Sequence, residues 1–201
     1  MHTLLRLDTS IFSGQGVSTQ LSDALLSQLK SANPTLRVIH RNFAEQPVPH
    51  LDGMWLQSLM EPEETRSEAQ HKMADFSDQL ISELQEADTL IIGLPMYNFG
   101  IPSMLKAWFD HVARAGTTFK YTNTGPVGLL DDKKVYLVTT RGGIHKDQPS
   151  DTQIPFVKTF LQFLGLTNIE VIYAEGLNLG DDIRNAAIAS AKQSIDNLVA
   201  A

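Results

Sequence analysis

Three stretches of this 201-residue chain carry residue types that suit a bound anion or a flat heterocycle. The first runs from Ser10 to Ser18. Ser10, Ser13, Ser18 and Thr19 offer hydroxyls, and Gly14 and Gly16 let the backbone come close to a ligand. A helix begins just after, so free N–H groups and the helix dipole would favour negative charge there. Neither a Walker Gly-Lys-Ser/Thr nor a Gly-x-Gly-x-x-Gly fingerprint occurs. An ordinary Ser/Gly turn with a helix cap uses the same residues.

The second stretch lies between Gly93 and Gly116. It sets Pro95, soft Met96, aromatic Tyr97 and Phe99, and the amide of Asn98 in a row. That set suits a flat, partly polar ring, and it also suits a buried loop whose aromatics only fill core. The third is Thr140-Arg141-Gly142-Gly143-Ile144-His145. Its glycines expose backbone N–H groups that can bond a heterocycle edge or stabilise developing negative charge. A plain strand-end turn is the other reading. His145 reads either as a proton donor or substrate-orienting group, or as a solvated loop histidine. The chain has no cysteine, which removes thiol and disulfide chemistry. No Ser-His-Asp arrangement and no metal-ligand spacing is visible.

The elements that must position these stretches alternate along the chain. Leu4 to Leu7 reads as a first strand, followed by a helix from about Ser18 to Ala32 on the spacing of Leu21, Ala24, Leu25 and Leu29. Leu36 to His40 is a short second strand, peripheral because Arg37 and His40 interrupt it. The irregular segment 42–64 contains Pro47, Pro49 and Pro62, with a short helix around Met54 to Met60. Thr65-Arg66-Ser67-Glu68 matches a capping box opening a helix buried through Ala69, Met73, Phe76, Leu80 and Leu84. Thr89 to Ile92 is a third strand, which Gly93 and Pro95 should end. Pro102 suits the first turn of the next helix and Ser103 its cap, with Met104, Leu105, Trp108, Phe109 and Val112 on one face. An excursion over 118–130 turns at Asn123 to Pro126. Val135 to Thr140, a helix near Asp151 to Leu164, Ile169 to Ala174 and a helix from Asp181 to Val199 complete the chain. This alternation predicts an α/β, three-layer, doubly wound sheet of five parallel strands in the order 2-1-3-4-5, over residues 1–201 as one domain. In that order the three chemical stretches meet at the carboxyl ends of neighbouring strands, around the switch point.

Composition narrows the function. Hydrophobic residues make up 42%, enough for one sizeable core. The net charge of −7, with no basic stripe, argues against nucleic acid as a partner. No run is long enough to span a bilayer, and the start, MHTLLRLDTS, reads as a strand rather than a signal peptide. A cytoplasmic setting fits the absence of cysteine.

Taken together, Pro95-Met96-Tyr97-Asn98-Phe99, Phe109-Asp110 with Val112-Ala113-Arg114-Ala115-Gly116 and Thr118-Phe119, and Arg141-Gly142-Gly143-Ile144-His145 closely resemble the bacterial FMN-dependent NADH azoreductases and NAD(P)H:quinone oxidoreductases. The likeness runs from Leu4 to the C-terminus. It implies a flavodoxin-like homodimer with FMN in each strand-end crevice. Position by position, Ser10 and Gly16-Val17-Ser18 match the phosphate loop. Pro95 to Phe99 matches the segment beside the isoalloxazine, and Thr140 to Gly143 the segment at its other side. Gly16 stands where a serine is common, and Thr140 replaces a serine.

The resemblance further implies that NADH or NADPH reduces the flavin, which then passes two electrons to an acceptor in ping-pong turnover. Quinones would become hydroquinones, and azo compounds would need two cycles to become amines. Phe119, Tyr121 and Phe163 are candidate walls of the substrate pocket, with core packing as their rival reading. A flavodoxin-type electron carrier without substrate turnover is the alternative function. The apolar segment 42–64 and the excursion 118–130 favour the enzyme, since a pocket needs walls and a lid. The helix bearing Trp108 and Phe109, and the segment 42–64, are the expected dimer surfaces.

Overall fold

Strand β1 (Thr3–Asp8) is buried from end to end, as a strand covered on both faces must be. The structure is a computed structural model that describes residues 2–200; Met1 and Ala201, the ends of the expected domain, lie outside the described residues. After β1 come a single 3-10 turn at Ser13–Gln15 and helix α1 (Val17–Ala32). The chain continues through β2 (Arg37–Asn42), α2 (Gly53–Met60), α3 (Glu68–Glu86), β3 (Thr89–Pro95) and α4 (Ser103–Val112). Next are β4 (Phe119–Thr122), β5 (Gly125–Gly128), β6 (Lys134–Thr140), α5 (Gln153–Leu164), β7 (Ile169–Ala174) and α6 (Asp181–Ala200).

Five strands form one parallel sheet in the order β2-β1-β3-β6-β7. Setting aside β4 and β5, which pair with each other as an antiparallel hairpin, this is the expected order 2-1-3-4-5. Alternate residues feed opposite faces. Leu4, Ile91, Tyr136 and Val138 pack with Leu21, Leu25, Ala191 and Ile195 of α1 and α6. Leu5, Leu7, Leu90, Ile92 and Leu137 pack with Leu80, Leu84, Leu105, Trp108 and Leu161 of α3, α4 and α5. Two helical layers thus enclose the sheet. Each fully buried side chain of this size contributes roughly 1.5–3 kcal/mol.

Several local expectations shift. β3 does not stop at Ile92 but continues through Gly93 to Pro95, paired with Val138 and Thr140 of β6. Pro95 is tolerated because β1 has already ended at Asp8, opposite Gly93, so no ladder bond on that side needs its N–H, and the β6 ladder is taken up by Met96, whose N–H donates to the Thr140 carbonyl at 2.9 Å. The capping box of α3 is Ser67 with Gln70, not Thr65 with Glu68. Thr65 sits in a 3-10 turn and donates instead to Glu61 and the Pro62 carbonyl. The buried stripe of α3 is accordingly Ala74, Ser77, Leu80, Ile81 and Leu84; Ala69 is exposed, and Met73 and Phe76 are half-buried. In α4, Pro102 is the capping residue and Ser103 the first helical one, with no side-chain cap. Trp108 and Phe109 are fully enclosed by their own chain, so they offer no surface to a second copy.

Candidate functional site

The carboxyl ends of β1, β3, β6 and β7 all open at the same edge of the sheet, as parallel pairing requires. Between them lies a cavity of about 230 Å³. Ser10, Gly16, Val17 and Ser18 line it from the β1–α1 side, Pro95, Met96 and Tyr97 from the end of β3, and Thr140, Arg141 and Gly142 from the end of β6. Ten of the thirteen residues expected to hold a cofactor therefore meet in one place.

The β1–α1 wall has the character of an anion site. Helix α1 starts at Val17 with no side-chain cap and no acidic residue in its first turn. Its leading N–H groups are left without intrahelical partners. Ser18 is buried, and its Oγ has no hydrogen-bond partner among the described residues. Ser10 Oγ accepts the N–H of Phe12 at 3.2 Å and lies 3.4 Å from the Tyr97 hydroxyl, which also accepts the N–H of Ile11 at 3.3 Å. Tyr97 thereby ties the β3 loop to the β1 loop. Gly16 is required by space: a Cβ there would lie 2.3 Å from Ser10 Oγ and 2.7 Å from Ser10 Cβ.

The opposite wall is held by Arg141, whose side chain is fully buried. Nη2 meets Asp151 at 2.7 Å and Nη1 meets Glu175 at 3.0 Å. Glu175 also accepts the N–H groups of His145 and Lys146, each at 2.9 Å. The guanidinium lies 5.4 Å from the centre of the Tyr173 ring. Burial, then the charge of Asp151, pushes the Tyr173 phenol up, so it stays neutral beneath the cation. Arg141 thus gives the cavity its backbone while its charge is spent internally. Gly142 and Gly143 accept through their carbonyls from Asn178 and Gly176, and their own N–H groups have no internal acceptor among the described residues.

Three expected cofactor residues fall outside the cavity lining. Asn98 and Phe99 occupy a tight turn with φ of 48° and 66°, bracketed by the paired Tyr97 and Gly100. Asn98 faces a neighbouring depression with Ile11, Ile101 and Met104. Phe99 is exposed and meets the His145 ring edge-on at 5.7 Å. Gly143 sits beneath that same His145 ring. His145 itself is held by Ser150 at 2.9 Å through Nδ1 and does not line the cavity.

Phe119, Tyr121 and Phe163 do not line it either. Phe119 is buried, 4.4 Å from the Phe163 ring, in a cluster with Phe160 on the hairpin side of the core. Tyr121 is 76% exposed on that hairpin. Within a single chain, Phe119 and Phe163 pack against each other and not against the cavity.

Four lining residues escaped the sequence reading: Phe12, Leu177, Asn178 and Arg184. The last three follow β7, and the fifth strand of a parallel sheet necessarily delivers its loop to the same edge.

Residues 2–199 match the flavodoxin-like fold family. The chain belongs to that family. Among its flavodoxin-like relatives, an FMN-dependent NADH:quinone oxidoreductase of Cellvibrio japonicus is 51% identical over 100% of both chains. Another, from Saccharophagus degradans, is 49% identical over 98% of this chain and 93% of its own. Among solved structures, an azoreductase from Bacillus anthracis superimposes with a TM-score of 0.90 at 28% identity, covering 99% of each chain.

Proposed function

We infer that this chain is an FMN-dependent oxidoreductase, taking electrons from NADH or NADPH and reducing quinones to hydroquinones and azo compounds to amines. One observation carries the reading. Gly16-Val17-Ser18, Pro95-Met96-Tyr97 and Thr140-Arg141-Gly142 surround a single cavity, in a chain whose full-length relative is an FMN-dependent NADH:quinone oxidoreductase.

The residues fit FMN. The uncapped start of α1 and the orphaned Ser18 hydroxyl suit its phosphate, and Ser10 stands beside them. Met96 and Tyr97 on one side and Gly142 on the other would hold the ring, with Asn98, Phe99 and Gly143 extending that surface at the rim. Bound FMN supplies the two-electron redox chemistry. The chain's share is placement and electrostatics. The N–H groups of Gly142 and Gly143, lacking internal acceptors, would donate to a polar ring edge, and no serine hydroxyl of the lining is hydrogen-bonded to a histidine or carboxylate that could activate it as a nucleophile.

The same reading includes a homodimer. Met54, Leu56 and Met60 of α2 are 65%, 50% and 76% exposed, apolar side chains that a second copy would cover. Phe119, Tyr121 and Phe163 would then wall a substrate only where a second copy's cavity meets the hairpin. No helix among the described residues is long and apolar enough to cross a membrane, and a cytoplasmic setting is part of the proposal.

Anaerobic stopped-flow spectroscopy tests the chemistry. NADH should bleach the bound flavin, and a quinone should restore its absorbance. Bleaching that no quinone or azo dye reverses would leave an electron carrier. No bleaching by either nicotinamide removes the oxidoreductase reading.

A further inference from the structure

Arg184 lies in the first turns of α6 and lines the cavity together with Gly16, Val17 and Ser18. Its helix packs beside α1 through Leu21, Leu25, Ala191 and Ile195, so the two helices bring their amino ends to the same edge of the sheet. One of its donors, Nη1, reaches the Leu177 carbonyl at 3.3 Å. Among the described residues it has no carboxylate partner, and the remaining guanidinium donors are uncommitted.

The surroundings make that cation conspicuous. The chain carries a net charge of −7, yet no carboxylate lines the cavity. The charge of the other lining cation, Arg141, is paired with Asp151 and Glu175 through Nη1 and Nη2, and only its buried Nε is left without a partner among the described residues. On the α1 side the loop supplies backbone N–H groups and hydroxyls but no cation. Ser10 fills the space that a side chain at position 16 would need, so residue 16 cannot add a hydroxyl, and Val17 is apolar. Ser18 offers one unpartnered hydroxyl. A phosphomonoester near its dianionic form would thus find N–H groups and one free hydroxyl there, but no charge apart from Arg184.

We propose that Arg184 is the phosphate-binding cation of this cavity, pairing with the phosphomonoester of FMN at the amino end of α1. The inference rests on the FMN reading above. A guanidinium suits this task because its planar fork matches two phosphate oxygens at once. Asn178, beside it on the β7–α6 loop, lines the same wall and is exposed.

The test compares FMN with riboflavin, which has the same ring and ribityl chain but no phosphate. Apoprotein is titrated with each, following flavin fluorescence. Arg184→Ala should weaken FMN binding roughly tenfold to a hundredfold, the range for a charge-assisted contact. Riboflavin affinity should stay within about twofold, which also confirms that the variant is folded. Added salt should weaken FMN binding more in the wild type than in Arg184→Ala. Arg184→Lys, keeping the charge but not the fork, should fall between the two. If wild type and Arg184→Ala show the same ratio of FMN to riboflavin affinity, the proposal is overturned while the FMN reading stands. If the wild type binds neither flavin, both fall.

Discussion

Nε2 of His111 lies 2.9 Å from the carbonyl oxygen of Pro49, fastening the segment between β2 and α3 to helix α4. A carbonyl can only accept, so Nε2 carries the proton. Nδ1, 2.7 Å from Ser77 Oγ, is then the acceptor of the serine hydroxyl. Trp55 and Phe76 enclose the ring edge-on at 4.7 and 5.5 Å.

This geometry has a pH dependence. Burial pushes the His111 imidazole down from its ordinary value of 6.5, opposed in part by the bond to Pro49. The folded state therefore binds the proton less readily than the unfolded one. The contribution to stability is complete above about pH 6.5 and is lost as pH falls through the lowered folded value. Denaturation midpoints should drop on acidification from neutrality, and Trp55 fluorescence should report the loosening. In His111→Gln that slope should flatten. A slope unchanged by the substitution would assign the effect to other histidines.

Arg141 predicts a large loss of stability. Replacing it with Met leaves Asp151 and Glu175, only 10% and 13% exposed at their side chains, without their cation. Breaking a buried pair in this way costs about 3–5 kcal/mol. Arg141→Lys should rescue little, because one ammonium cannot bridge both carboxylates as the guanidinium fork does. Urea denaturation measures both variants. A midpoint near that of the wild type in Arg141→Met would show the network to be dispensable.

Gly142 predicts a steric effect with a specific remedy. A Cβ at this position would lie 2.5 Å from Asn178 Nδ2, so Gly142→Val must push that amide aside. Loss of FMN binding, or turnover lower by about a hundredfold, is expected on the scale of a lost oxyanion-type donor. The milder Gly142→Ala should regain flavin affinity when Asn178→Ala is added. Failure of the second change to help would place the requirement in the backbone rather than in the space.

Assembly gives the fourth expectation. Light scattering at micromolar concentration should report a mass twice that of the chain. Met54→Asp with Met60→Asp, placed on two of the most exposed apolar side chains, should shift it to the monomer. A wild-type monomer with FMN present would remove the dimer.

Much of this was legible in the sequence, for identifiable reasons. β1, β3 and β6 are apolar on both faces, so Leu4, Ile91 and Val138 read as buried strand whichever face they serve. Ser10, Met96 and Gly142 stood out because unusual residues followed those strands directly. The strand end at Gly93 and Pro95 was misplaced because a ladder tolerates proline where no neighbouring strand needs its N–H, which propensity alone does not reveal. The cap at Ser67 was missed because Thr65 offers the same pattern two residues earlier. The aromatic excursion was ambiguous in kind: nothing in the spacing of Phe119 and Phe163 tells a core stack from a pocket wall. Arg184 was invisible because its role depends on α6 lying against α1, a relation between distant segments with no local signature.

The cavity wall is drawn from residues 10–18, 95–97, 140–142 and 177–184, pieces that meet only when β1, β3, β6 and β7 are all in register. None of these four segments alone holds even half of the fourteen lining residues. A flavin therefore has nothing to grip during the early, local steps of folding and engages only the completed sheet. Contacts absent from the folding transition state act on the exit rate from the native state. A ligand here would be a brake on unfolding rather than a guide to folding, and the filled protein would outlast the empty one under a protease that waits for the chain to open.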